Sequence, residues 1–238
     1  TAVKHPSVKP YYADNQITLY HGDCLEITDW LDADVLVTDP PYGIDWKAPK
    51  GWKNASGGGG HRSSGQATNI ARDKDTTARD RAVGLWGSKP SAIFGDLLKP
   101  APQGTRQVCV YAKPFDAGIR GATGGFRRDA EAIFLAGGWP IGVGGISSIL
   151  RTNGRVAGPR GMALRAGHPH AKPIDVLEQL ITAAPPGVVA DPFAGSGSSL
   201  VAARNLGRRA IGVELEERYC EIIAKRLDQM CLDFGDAG

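Results

Sequence analysis

The stretch from Gly187 to Asn205 sets a short apolar run, a glycine-rich turn and a helical segment in direct succession. Gly187-Val188-Val189-Ala190-Asp191 has no polar alternation, which suits a strand covered on both faces, as in a parallel sheet. The pattern then predicts a turn over Pro192 to Gly197, a helix over Ser198 to Asn205 stopped by Gly207, and a second strand over Arg209 to Glu214. A helix over Glu216 to Leu232 follows, with apolar residues at Tyr219, Ile222, Ile223, Leu227 and Met230. Strand, helix, strand, helix implies right-handed parallel crossovers, so the fold class is α/β. Upstream, Pro173 opens a further helix through Ile174, Leu177, Leu180 and Ile181.

The N-terminal part repeats the alternation. Gln16 to Tyr20 reads as a strand ending at Gly22-Asp23, Leu25 to Leu31 as a short helix, and Asp34 to Thr38 as a buried strand running into Asp39-Pro40-Pro41-Tyr42-Gly43. Later strands are expected over Gln107 to Ala112 and Ala130 to Ala136. Two prolines cannot continue a strand, so the chain must turn out at the strand's carboxyl end, where open α/β sheets bind ligands.

The length, 238 residues, suits a single domain over 1–238. No apolar run approaches the ~18 residues of a bilayer span, and nothing apolar follows the first charges as in a secretory leader. The expectation is therefore a cytoplasmic protein without a membrane partner. Cys24, Cys109, Cys220 and Cys231 form no C-x-x-C pair, which argues against a zinc ribbon or a disulfide framework and for no bound metal. The net charge of +3 conceals two basic blocks, 45–90 and 120–165, each at +5. They are either solvated loops or a surface for a polyanion. Within the first, Asn54 to Asn69 is Gly/Ser-rich without hydrophobic period, so 45–90 is expected to be a mobile basic loop insertion.

Two segments carry chemistry. In Asp191-Pro192-Phe193-Ala194-Gly195-Ser196-Gly197-Ser198-Ser199, the glycines let backbone approach a ligand at a helix start, unless the segment is an ordinary tight turn. The third glycine of a dinucleotide fingerprint and the lysine of a phosphate loop are both missing. A nucleoside ligand without phosphates fits better, and Glu214, 23 positions after Asp191, can accept from ribose hydroxyls. In Asp39-Pro40-Pro41-Tyr42-Gly43, the carboxylate and a proline-fixed carbonyl can accept the N–H groups of an aromatic amine, with Tyr42 stacking on its ring. The alternative is a rigid turn with a surface tyrosine.

Together these residues resemble motifs IV and I of the DNA amino-methyltransferases, in the order of the permuted β group: catalytic tetrapeptide first, cofactor loop last. His168-Pro169-His170-Ala171-Lys172-Pro173 resembles the opening of the family's motif X helix, with His170 where threonine is frequent, and Ser198-Ser199 replaces a frequent threonine pair. Gly22 to Ile27 resembles the loop whose aspartate lies near the cofactor adenine. The resemblance covers residues 16–44 and 167–227 closely and 91–136 loosely. It implies a Rossmann-like methyltransferase fold, a mostly parallel seven-stranded sheet with helices on both faces, and S-adenosyl-L-methionine as cofactor.

The resemblance also implies roles. Asp39, Pro40, Pro41 and Tyr42 would hold a flipped base. Asp191, Pro192, Phe193, Ala194, Gly195, Ser196, Gly197 and Ser198 would wrap the methionine moiety, Glu214 the ribose, and Asp23 the adenine amine, with Lys172 near the cofactor carboxylate or its loop. The reaction implied is methyl transfer to adenine N6 in double-stranded DNA. Cytosine N4 stands as the second choice, and an inactive DNA-binding module as the non-enzymatic one. Lys47, Lys50, Lys53, Arg151, Arg155, Arg160 and Arg165 are the expected DNA contacts; Trp46 and Trp52 either join them or anchor the loop. Residues 137–167 fall where the family keeps its target-recognition region, which is short here. Nothing in the sequence resembles a nuclease, and both a restriction partner and a homodimer stay open.

Overall fold

The computed structural model describes residues 8–45, 71–115, 117, 123–142, 145–154 and 171–233. Nine strands form one sheet: β1 (Tyr12–Ala13), β2 (Ile17–His21), β3 (Val35–Thr38), β4 (Ser91–Gly95), β5 (Thr105–Ala112), β6 (Ala130–Ala136), β7 (Ile149–Arg151), β8 (Val189–Asp191) and β9 (Ala210–Glu214). Their order is β1-β2-β9-β8-β3-β4-β6-β5-β7. The five strands from β2 to β4 run parallel. β6 is antiparallel to both β4 and β5, and β5 and β7 are parallel. The expected α/β architecture is present, with two very short edge strands, β1 and β7, beyond the seven anticipated.

Residue alternation divides the core into two layers, one on each face of the sheet. Ile17, Leu19, Val35, Val37, Ala92 and Phe94 pack on one face with the helices α2 (Ile174–Ala183), α3 (Ser198–Asn205) and α4 (Glu217–Asp233). Tyr20, Leu36, Ile93, Ala190 and Val213 face the other way, against Trp30 and Trp86. Trp86 ends helix α1 (Thr77–Trp86), and its ring stacks on Trp30 with centroids 5.8 Å apart. All four residues of β3 are buried, as a central strand covered on both faces requires. Among the described residues no helix is long and apolar enough to cross a membrane.

Two local expectations differ. Instead of a helix over 25–31 there is a turn and one 3₁₀ segment, Asp29–Asp32. The Asp23 carboxylate accepts from the Leu25 amide at 3.0 Å, a side-chain bond that competes with helix propagation. The block 45–90 is not loop throughout: its last part forms α1, whose small buried residues Ala78 and Ala82 give little hydrophobic signal. Residues 46–70, with Trp46 and Trp52, lie outside the described residues.

The strand directions set the site. β2, β9, β8, β3, β4 and β5 all end at one edge of the sheet, and antiparallel β6 begins there. His21, Glu214, Asp191, Thr38, Gly95, Ala112 and Ala130 are therefore brought to the same rim. β7 adds Arg151 opposite Ala112.

Candidate active site

A cavity of about 400 Å³ opens at this rim. Asp39, Pro40, Pro41 and Tyr42 line it together with every residue of 191–199 except Gly197, and Glu214, Asp23 and Lys172 complete the set. The two turns are joined directly: Thr38 Oγ1 donates to Asp191 Oδ1 at 2.6 Å. Parallel pairing of β3 with β8 makes this bond available, since both strands release their chains side by side.

Gly197 shapes the turn from behind. It caps α3 at φ +73, and a Cβ there would sit 2.8 Å from Ile223. Both the left-handed backbone and the missing side chain are needed for α4 to close against the turn. Gly43 does the same for the other turn, where a Cβ would meet the Asp75 backbone at 2.7 Å. The Gly43 amide is held by Asp73 Oδ1 at 2.8 Å.

At one end of the cavity the carboxylates are held by neutral donors. Asp191 is buried and accepts from Thr38, from the Phe193 amide at 3.1 Å and from the Ser199 hydroxyl. Glu214 accepts from the Gly195 amide at 2.7 Å and the Glu216 amide at 2.8 Å, one on each oxygen. Burial pushes the Asp191 carboxyl up to about 6 and that of Glu214 up to about 7, against the opposing hydrogen bonds. Asp23 differs: Arg72 grips both its oxygens, at 3.0 and 2.7 Å, and holds its carboxyl below the usual range.

At the other end the carboxylates share cations. Lys172 Nζ donates to Asp39 Oδ2 at 2.7 Å and lies 3.4 Å from Glu131 Oε2, while Lys113 Nζ sits 2.6 Å from Glu131 Oε1. The Tyr42 hydroxyl has two acceptors in reach, Asp39 Oδ1 at 2.8 Å and Glu131 Oε2 at 3.2 Å. Its single proton serves one at a time. Burial raises the Asp39 carboxyl, with Lys172 opposing and Glu131 adding to the rise. Burial also acts to raise Glu131, but the two lysines prevail and bring it to about 2. Tyr42 is raised by burial and by both carboxylates, so it stays a neutral donor.

Lys172, expected near the cofactor carboxylate or its loop, is paired with Asp39 and Glu131 within the same cavity. Glu131, Lys113 and Arg72 are cavity residues that sequence reading missed. Arg151 is exposed at the rim. Lys47, Lys50, Lys53, Arg155, Arg160 and Arg165, with His170, lie outside the described residues.

A family model described as DNA methylase, of the N6_N4 methyltransferases, matches residues 126–225. The type II methyltransferase M.ScaI of Streptomyces caespitosus is 24% identical over 265 residues, covering 95% of this chain and 86% of that one. These matches support the resemblance to the DNA amino-methyltransferases. Among solved structures, the cytosine-N4-specific PvuII DNA methyltransferase has a TM-score of 0.61 at 14% identity, covering 91% of this chain and 88% of that chain. M1.HpyAVI, solved as a complex with S-adenosylmethionine, has a TM-score of 0.54 at 22% identity, covering 88% and 99%. At these identities the structures establish a shared α/β fold and no more.

Proposed function

We propose that this amino-methyltransferase moves a methyl group from S-adenosylmethionine to adenine N6 in duplex DNA, acting on a base extruded from the helix. The observation that carries the reading is the shared cavity: the 39–42 turn and the 191–199 turn line one space, linked by the Thr38 to Asp191 bond. Its volume suits a nucleoside-sized ligand. The donor set suits S-adenosylmethionine in particular. Glu214 and Asp23 offer carboxylate oxygens for ribose hydroxyls and an adenine amine, Asp191 stands beside the turn that would receive the methionine part, and among the described residues no phosphate cradle is built. The complex of M1.HpyAVI with the same cofactor supports the assignment.

Bound there, S-adenosylmethionine supplies an electrophilic sulfonium methyl. The protein's share is to aim the nucleophile. An exocyclic amine is a poor nucleophile because its lone pair is delocalised into the ring. Asp39 and the Pro40 carbonyl accept its N–H groups and draw the nitrogen toward sp³ geometry, which frees the pair. Pro40 is buried, its φ is fixed by its ring and its ψ is restricted by the following Pro41, so the acceptor carbonyl needs little reorganisation. Tyr42 stacks on the base, which must leave the duplex to reach this depth. Arg151 would meet phosphate at the rim, as would the basic residues of 45–90 and 155–165. Residues 137–167 would read the target, and their brevity argues for a short recognition site.

Aspartate as the first residue of the tetrapeptide favours adenine, the family's commoner pairing. Incubation with methyl-labelled S-adenosylmethionine and mixed-sequence duplex DNA, followed by nucleoside mass spectrometry, tests the reading. N6-methyladenine is expected. N4-methylcytosine would assign the other base, and cofactor binding without any transfer would leave a DNA-binding module.

A further inference from the structure

Glu131 belongs to neither turn, yet its carboxylate is in the same hydrogen-bonded group as Asp39. It reaches the group from β6, the antiparallel strand whose amino end meets the carboxyl ends of its neighbours. Two lysines and two carboxylates alternate there, Lys113, Glu131, Lys172 and Asp39, and the Lys172 side chain is only 9% exposed. Lys172 is further enclosed by the Tyr42 and Phe94 rings, each 5.3 Å from its Nζ.

We propose that Glu131, clamped by Lys113, is a positioning residue for methyl transfer: it draws Lys172 between two carboxylates and so preserves Asp39 as a strong, fixed acceptor for the target amine. The proposal rests on the reading of Asp39 given above. An ammonium facing Asp39 alone would neutralise it and weaken its pull on an N–H group. A second carboxylate on the same ammonium restores that strength. Glu131 without Lys113 would in turn repel Asp39 and favour its protonation. Lys113 thus sets how much of the Glu131 charge Asp39 feels.

Among the described residues, the charged and titratable groups facing Asp39 come from several elements. Tyr42 comes from its own turn, Lys172 from the segment before α2, Glu131 from β6 with Lys113 from the end of β5 behind it, and Asp191 from β8. Asp96 and Arg128, at the cavity wall, pair with each other at 2.8 Å. Of these, the Glu131 and Lys113 charges can be removed without touching a group assigned to substrate or cofactor.

The test is the pH profile of kcat at saturating S-adenosylmethionine and DNA for the wild type, Glu131→Gln and Lys113→Met. Removing the Glu131 charge leaves Lys172 to Asp39, so the acid limb should move down by about one pH unit. Removing Lys113 exposes Asp39 to more of the Glu131 charge, so the limb should move up by a similar amount. At neutral pH, Glu131→Gln should lower kcat about tenfold while KM for S-adenosylmethionine stays within about twofold. A purely structural role would lower activity without moving the two limbs in opposite directions, and limbs that stay put or move together overturn the proposal. Should Glu131→Gln not fold, Lys113→Met decides through the direction of its own limb, because Lys113 is partly exposed and removable. Asp39→Ala separates the two readings. If it keeps turnover, the assignment of Asp39 fails. If it is inactive and the limbs do not move, only the role of Glu131 fails.

Discussion

The two ends of the cavity solve one problem, keeping a carboxylate in a dry place, by opposite means. At the nucleoside end Asp191 and Glu214 are held by hydroxyls and backbone amides, and burial raises both carboxyls. At the amine end Lys113 and Lys172 share Glu131 and Asp39. Neutral donors orient a carboxylate without discharging it, which suits an acceptor waiting for ribose hydroxyls or a cationic ligand. Alternating ions hold a carboxylate in register while its charge is balanced, which suits an acceptor that must aim at one nitrogen. The division matches the two substrates proposed for the site.

The sharpest way to break this comparison is to empty one end at a time. Asp39→Ala should lower methyl transfer by about 10³-fold or more, measured with labelled cofactor and a DNA duplex, while S-adenosylmethionine affinity stays within about threefold. Loss of cofactor affinity would mean the ends are not separate. Glu214→Ala should do the reverse in binding, weakening S-adenosylmethionine by roughly 1–3 kcal/mol, or about five- to 150-fold, by calorimetry. Unchanged affinity would remove Glu214 from the ribose role.

Glu214 and Asp191 on one side and Glu131 on the other should also respond to pH with opposite sign. Glu214 lies at about 7 in the folded chain against an ordinary 4.5, and Asp191 at about 6 against 3.8. Both bind protons on folding, so their contribution to stability declines as pH rises from about 4 to 7. Glu131, at about 2 against 4.5, contributes stability that is present above 4.5 and lost as pH falls toward 2. Cofactor binding needs ionised acceptors and should weaken by about tenfold per unit as pH falls below 7. Glu214→Gln removes the buried charge and should raise the melting temperature of the cofactor-free protein at pH 8 by a few degrees, though it gives up one amide acceptor. A lower melting temperature would show that its hydrogen bonds outweigh its desolvation.

Much of the nucleoside end was legible in the sequence because it is local. Asp191, the glycine turn and the start of α3 are contiguous, and Glu214 follows one crossover later, so a strand-turn-helix pattern predicts where they meet. The 39–42 turn was legible for the same reason, two prolines ending an apolar strand. The amine end's ionic group was not. Lys113, Glu131 and Lys172 come from three separated elements, and an antiparallel strand brings Glu131 to the rim from its amino end. No period or spacing announces a pairing of that kind, and the resemblance pointed Lys172 to the cofactor carboxylate or its loop, not to Asp39 and Glu131. Helix α1 escaped for a different reason: its buried residues are two alanines, an arginine and a tryptophan, so its apolar face hardly stands out.

The smallest expected effect concerns the one place where the ends trade methods. Asp23, on the nucleoside side, is paired with a cation, Arg72, although its proposed task is to accept an adenine amine. Arg72 is 43% exposed on its side chain, and a pair that open to water is worth about 0–1 kcal/mol. In the cofactor-free protein the guanidinium occupies the acceptor that the adenine would use, so binding must displace or share it. Arg72→Ala should then strengthen S-adenosylmethionine binding, by up to about fivefold at low salt, with the gain shrinking as salt screens the pair. A weakened affinity would mean that Arg72 orders Asp23 for the ligand, and that the nucleoside end uses ionic clamping as the amine end does.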